Sequence, residues 1–281
     1  MKKYVQEATD ENIWTSIKNN TFGRNKDIKD FIDGLELIDE SACISLDAKW
    51  GDGKTFFVRQ IEEVLKYVLA NQRADEENPI EKLPSYEYLK DNEMMAKIDL
   101  KHSYLPIYYN AWMYDNHSDP LMSLLLVMTK TCRGVYDTKI DSEKISKKLV
   151  EALATLPISL GEFKANPFTA IEKLQGKSMD ILSLVQTEEE IRERVKGIFN
   201  DIIVERAQKL IIFIDELDRC RPSFAIEMLE RIKHYFDDER VIFVVSLNKE
   251  QLIHTITNYY GSGFDATRYL NKFFDVNINL P

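Results

Sequence analysis

The stretch Ala48-Lys-Trp-Gly-Asp-Gly-Lys54-Thr55 carries the clearest chemistry in the chain. It fits the phosphate-binding pattern G-x-x-x-x-G-K-[ST] at Gly53, Lys54 and Thr55, with Ala48 in place of the first glycine. A loop of this kind turns backbone N–H groups inward onto phosphate oxygens. Trp50, Gly51, Asp52 and Gly53 make the curl, and the two glycines let the main chain approach closely because they carry no Cβ. Lys54 supplies a compact positive charge for β- and γ-phosphates. Thr55 opens a helix and offers its hydroxyl to Mg²⁺, with Phe56 next in the same turn. The helix N-terminus adds partial positive charge beneath the anion. Ala48 stands where the preceding strand ends, and its methyl group is the smallest intrusion there. The plain alternative is an ordinary glycine turn with an exposed lysine.

A second candidate lies far along the chain. Leu210-Ile-Ile-Phe-Ile214 runs into Asp215-Glu216. The run is short, β-branched and bounded by charge, as in a buried parallel strand that delivers acids to its C-terminal edge. Asp215 there can hold Mg²⁺ through water. Glu216 is placed to activate a water for in-line attack on a γ-phosphate. Asn248 follows the next apolar run, Val241 to Val245. It suits contact with the γ-phosphate or the attacking water, and equally an ordinary helix N-cap.

These residues need a scaffold. Ile44 to Leu46 reads as a strand entering the loop. After it, Phe57, Val58, Ile61, Val64, Leu65, Val68 and Leu69 mark the apolar face of a helix, with Arg59, Glu62, Glu63 and Lys66 on the other face. Residues 71–101 look like a polar excursion away from the core, with a short helix near Tyr86. Leu105 to Trp112 predicts a strand, Leu121 to Thr131 a buried helix. Thr187-Glu-Glu-Glu190 is a capping box for a helix reaching about Gln208. Helices follow at Ser223–Phe236, Glu250–Tyr260 and Arg268–Phe273, and Phe274 to Leu280 alternates like a last strand. Strands alternating with helices predict an α/β fold with a parallel sheet flanked by helices.

On these segments the chain resembles the KAP family of P-loop NTPases. The resemblance rests on Ala48 to Thr55, on Tyr109-Asn-Ala-Trp-Met-Tyr114, and above all on Phe213-Ile-Asp-Glu-Leu-Asp-Arg-Cys-Arg-Pro222, which looks like an extended Walker-B signature. Leu229-Glu230, Ile232-Lys233, Tyr269 to Phe274 and Leu280-Pro281 look like the rest of the family's core. The resemblance implies a P-loop sheet of the additional-strand (ASCE) type, with a helical insertion at about 134–186 between Walker A and Walker B, in one domain over 1–281. It implies ATP and Mg²⁺ as cofactors. It also implies a role in signalling, in membrane-associated assemblies or in phage exclusion. Lys54 and Thr55 match the family's phosphate and Mg²⁺ residues, and Asp215 its metal-binding acid. Asp218 and Arg219 match an extra acid and base of the signature. Phe22-Gly23-Arg24 is similar to a nucleotide-proximal motif of related signalling ATPases. Three departures stand out: no apolar run between the motifs could span a membrane, Glu216 replaces a common Asp, and Asn248 replaces another. The sequence stops at Pro281 without an added effector domain, as a nucleotidase core does when its downstream segment is separate.

Composition narrows the partners. The chain has 281 residues, 44% of them hydrophobic, and 47 acids against 37 bases give a formal charge of -10. Such a balance makes a poor general polyanion binder. Three scattered cysteines (Cys43, Cys132, Cys220) are not a disulfide framework, and four histidines show no metal-ligand spacing. With no signal peptide and no spanning run, a cytoplasmic protein is expected, in contact with protein partners or its own copies and at most peripherally with membrane. Arg219, Arg221, Arg268 and Lys272 are candidates for a charge-neutralising finger, Arg268 first among them. Trp112 is expected in the core beside the sheet, or else stacked on a base. No guanine-reading Asn-Lys-x-Asp occurs; Asn248-Lys-Glu-Gln251 only echoes it. The expected activity is Mg²⁺-dependent triphosphate hydrolysis, with ATP, that resets a conformational switch. The alternatives are a nucleotide-gated binding module with little or no hydrolysis and a small-molecule kinase.

Overall fold

A computed structural model of the chain describes residues 7–72, 80–117, 119–134, 207–235 and 238–280, with 193, 196, 197 and 200 between them. The expected insertion beyond Gly134 and the capping box at Thr187 lie outside the described residues.

Helices α1, Asp10–Asn19, and α2, Asn25–Leu35, come first. Neither is among the elements expected above. Their apolar residues fall at helical spacing, Ile13 and Ile17 on α1 and Ile28, Phe31, Ile32 and Leu35 on α2, and all six are buried. Strand β1, Ala42–Asp47, leads through the glycine loop into α3, Lys54–Gln72. A short α4, Tyr86–Leu89, precedes β2, Tyr104–Asn110, and a 3-10 turn, Ala111–Tyr114. Helix α5, Pro120–Gly134, follows. Strand β3, Lys209–Asp215, passes into a 3-10 turn, Leu217–Arg219, and then α6, Pro222–Tyr235. The described chain ends with β4, Val241–Leu247; α7, Lys249–Tyr260; α8, Ala266–Leu270; and β5, Val276–Asn279.

The five strands pair in the order β2-β3-β4-β1-β5, and every pairing is parallel. β4 therefore stands between β1 and β3 as the additional strand. Every residue of β3 and of β4 is buried, as a parallel sheet covered on both faces requires. Side chains alternate between the faces. Ile211, Phe213, Ile242 and Val244 meet Phe57, Ile61 and Leu65 of α3, together with Ile13 and Ile32 of α1 and α2. Ile212, Ile214, Phe243 and Val245 meet Leu124, Met228 and Leu229 of α5 and α6. Because the strands run the same way, the loop after β1 and the tip of β3 open on the same edge.

Three points add to or correct the sequence reading. First, the polar face of α3, whose exposure its spacing left open, is not solvated: Glu62 and Glu63 are only 2% and 5% exposed. α1 lies across that face. Arg59 there binds Glu62 and, at 2.7 Å, Asp10 of α1, while Lys66 sits 2.7 Å from both glutamates. The Trp14 indole N–H donates to Glu63 Oε2 at 2.7 Å. Burial and ion pairing thus coexist on one helix face, which a periodicity count reads as exterior. Second, residues 80–100 are no excursion, since Leu89, Met94 and Leu100 are buried in the α3-side core. Third, Trp112 is 55% exposed, because the turn after β2 carries it past the end of the sheet.

Removing one member of a buried ion cluster leaves an uncompensated charge, at a cost of about 3–5 kcal/mol. Glu62→Ala is expected to lose stability on that scale. Glu93→Ala, which breaks the exposed 3.9 Å pair with Lys97, is expected to lose less than about 1 kcal/mol. Denaturant unfolding of both variants checks this, and equal losses would sink the reading of α3.

Candidate phosphate and metal site

The loop after β1 is held from below and from the side. The Ala48 N–H donates to Leu247 O at 3.2 Å, so Ala48 still pairs with β4 as the strand ends. Asp47 Oδ1 accepts from the Lys249 N–H at 2.8 Å, which fastens the start of α7 to β1. Gly51 and Gly53 have φ of +93° and +82°, where a side chain is strained. The Arg24 guanidinium reaches across to donate to Asp52 O at 2.8 Å and to Gly53 O at 3.3 Å. A Cβ on Gly53 would lie 3.0 Å from Arg24 Nη1, the movable end of that side chain, so it is the positive φ that calls for glycine there. Asp52 Oδ2 closes the curl by accepting from the Lys49 N–H at 3.0 Å.

Lys54 and Thr55 begin α3 at the mouth of this curl. Lys54 is nearly buried, and its Nζ donates to Ala48 O at 2.6 Å and Lys49 O at 3.2 Å. Its charge is folded into the cradle itself. Phe56 turns into the core, with its ring 5.4 Å from that of Phe22 in an edge contact.

The tip of β3 faces the loop. Asp215 has the face parity of Phe213 and so points to the α3 side; it is 1% exposed. Both its oxygens have donors: Oδ1 takes the Glu216 N–H at 3.0 Å and Oδ2 the Tyr108 hydroxyl at 3.0 Å. Glu216 has φ 63° and ψ 24°, a left-handed conformation uncommon outside glycine and asparagine. Held so, its Oε1 accepts from the Thr55 hydroxyl at 3.2 Å, while its Oε2 pairs with Arg219. Burial, and then the charge of Asp215, raise the Glu216 carboxyl above its ordinary value; Arg219 and Thr55 act in the opposite sense. A second bridge joins the same two segments, since the Trp50 indole N–H donates to the buried Asp218 at 2.5 Å.

The donor set suits a hard divalent cation. A hydroxyl and two carboxylates converge, all oxygen. Among the described residues no cluster of three or more His, Cys, Asp or Glu could hold a metal alone. Mg²⁺ usually keeps several waters and takes one or two carboxylates plus substrate phosphates, and Thr55 and Asp215 are donors of that kind. The residues therefore fit a nucleotide-borne Mg²⁺.

The remaining candidates separate. Asn248 caps α7, its Oδ1 accepting from the Gln251 N–H at 3.1 Å. Arg268 is exposed on α8. The turn after α8 leads to the beginning of β1, where the Asp275 N–H donates to Cys43 O at 2.9 Å. Three residues after Arg268, Asn271 Oδ1 accepts from Lys249 Nζ at 3.1 Å, and Lys249 is the residue fastened to Asp47 beside the loop, so α8 is tied back to the start of α7. Arg221 pairs with Asp115 at 3.1 Å, and Lys272 is exposed. Cys220 is buried, and burial pushes its thiol well above its usual range, so it is a packed thiol and not a reactive one. Sequence reasoning missed Tyr108 and the partnership of Trp50 with Asp218. Strand alternation puts Tyr108 and Asn110 on one face, but only the pairing of Asn110 with Asp215 puts that face beside the acid.

A carboxyl with a raised value makes the fold less stable in its ionised form. Its contribution is complete below the unfolded value and is lost as pH rises through the folded one. Glu216→Gln is therefore expected to unfold at a higher temperature than wild type at pH 7. The gain should shrink as pH falls through the ordinary value of 4.5, where wild-type Glu216 is itself neutral in both states. Thermal unfolding across that range checks it; a gain that grows toward acid would overturn the assignment.

Comparison with known proteins agrees with this architecture. An uncharacterised protein of Methanocaldococcus jannaschii is 27% identical over 173 residues, which cover 50% of this chain and 89% of that protein. The model of the KAP family P-loop domain matches residues 24–281. Among the described residues no helix is long and apolar enough to cross a membrane. Since the family match takes in Arg24, the glycine loop and the acidic strand tip that the fold draws together, the chain belongs to the KAP family of P-loop NTPase domains.

Proposed function

We propose that this domain hydrolyses ATP in the presence of Mg²⁺ and that hydrolysis resets a conformational switch. The observation that carries the reading is the 3.2 Å hydrogen bond from the Thr55 hydroxyl to Glu216 Oε1. It joins the residue that would hold the metal to the residue that would act as base. Family membership supports nucleotide chemistry at that place.

In this reading the backbone of Trp50 to Phe56 wraps the β- and γ-phosphates. Lys54 exchanges its bonds to Ala48 O and Lys49 O for phosphate oxygens. Arg24 braces the loop through the Asp52 and Gly53 carbonyls. Thr55 and Asp215 are the residues that would hold the metal. Mg²⁺, when bound, neutralises charge on the β- and γ-phosphate oxygens. Glu216 releases the Thr55 hydroxyl, accepts a proton from the attacking water and orients it for in-line attack. Free phosphate and a nucleoside diphosphate leave. The cap on α7 uses the oxygen of Asn248 and leaves its amide as the donor to the γ-phosphate or the water. Arg268, exposed on α8, serves as the finger in this reading, on its own site or on that of a second copy. In this reading the switch serves a signalling or phage-defence assembly, the role the family resemblance implies.

One observation favours the second reading, a nucleotide-gated binding module with little hydrolysis. Glu216 is engaged on both oxygens, by Thr55 and by Arg219. Phosphate release at saturating ATP and Mg²⁺ separates the two. Under the first reading Glu216→Gln binds nucleotide but turns over about 10²–10⁴-fold more slowly, and Lys54→Ala loses binding. Equal phosphate release by wild type and Glu216→Gln would leave the binding module standing.

A further inference from the structure

Tyr108 belongs to neither sequence motif, yet its hydroxyl lies 3.0 Å from Asp215 Oδ2. The register explains the contact. Tyr108 pairs with Phe213 and Asn110 with Asp215 across two parallel strands. Tyr108 therefore stands diagonally two residues behind Asp215 on the same face, a separation of about 7–8 Å between backbones that a tyrosine side chain spans. The ring is itself braced. The Arg59 guanidinium lies 4.7 Å from the ring centroid, a cation–π distance. Arg59 sits on α3 one turn after Thr55, and it is fixed by Asp10 of α1 at 2.7 Å and by Glu62. A continuous path thus runs from α1 through Arg59 and the Tyr108 ring to Asp215.

We propose that Tyr108 is the positioning residue for Asp215, and that it sets how strongly the site holds its divalent cation. The inference rests on the nucleotide-binding reading above and deepens it. A buried carboxylate without fixed donors can rotate between several orientations. Here the Glu216 N–H pins Oδ1 and the Tyr108 hydroxyl pins Oδ2. With each oxygen holding one protein donor, the remaining lone pairs point in set directions toward the water that would link Asp215 to the metal. Groups that orient metal-binding side chains in this way are worth about 10–100-fold in metal affinity. Arg59 contributes by keeping the ring from swinging, so the N-terminal helix α1 reaches the metal site without touching it.

The experiment is a titration of Mg²⁺, and separately of Mn²⁺ followed by its paramagnetic resonance, against protein with a non-hydrolysable ATP analogue. Tyr108→Phe keeps the ring and removes the hydroxyl. It is expected to need about tenfold or more metal for half-saturation, with the metal-free affinity for the analogue unchanged; the unfolding temperature falls, because a buried carboxylate loses a donor, and the titration is run well below it. Arg59→Lys keeps the charge but loses the planar stack, and is expected to shift the metal midpoint the same way by less. In an Asp215→Asn background the Tyr108→Phe change should have no further effect, because the tyrosine acts through that carboxylate. Identical metal midpoints for wild type and Tyr108→Phe would overturn this inference alone. An additive effect in the Asp215→Asn background would do the same. A wild type that ignores nucleotide at every metal concentration would overturn the functional reading and this inference with it.

Discussion

The structure depends on two hydrogen bonds that cross from one strand end to another. Thr55 reaches Glu216, and Trp50 reaches Asp218, in each case between the loop after β1 and the tip of β3. The strands that carry them do not touch, since β4 runs between them. The contacts exist because five parallel strands end on one edge, and because the loop and the 3-10 turn after β3 both lean over the end of β4. Either bridge alone is a modest interaction. Together they fix the loop's position relative to the acids, and the chemistry proposed for the site requires that relation.

Order of this kind has a local cost. Glu216 is held at positive φ, a conformation that costs an ordinary residue of order 1–3 kcal/mol. Its carboxyl is largely withdrawn from water beside a second carboxylate. Lys54 has its charge turned onto carbonyls of its own loop. The triphosphate and cation proposed for the site would relieve these last two, offering oxygens to Lys54 and positive charge to the acids. The surrounding fold holds them meanwhile. β3 and β4 are buried throughout, and α3 is clamped by hydrophobic contacts on one face and an ion cluster on the other.

That ion cluster also shows where a sequence pattern misleads. Charged residues at helical spacing mark the side of a helix that is not apolar; they do not say whether water is there. On α3 the charges are matched in sign and number closely enough for α1 to lie over them. α1 and α2 were overlooked for another reason, since Ile28, Phe31, Ile32 and Leu35 already stand at helical spacing and are buried. Trp112 failed in the opposite sense. Its size suggested the core, but it sits on a turn past the last strand residue, over Arg219 at 5.7 Å.

By itself the sequence determined the chemistry of the two motifs, the strands and helices that bear them, and the parallel α/β class. Each is a local property: glycines that permit positive φ, an apolar run that must be buried, a threonine that opens a helix. The tertiary structure alone decided which distant residues meet. Tyr108 became a partner of Asp215 through strand order and register, and Arg24 became a brace of the glycine loop through the packing of α2. Asn271, just after α8, became a partner of Lys249 through the course of the chain beyond α7. These are contacts between residues far apart in sequence, and they follow from how whole elements fill space against one another, which no local spacing encodes.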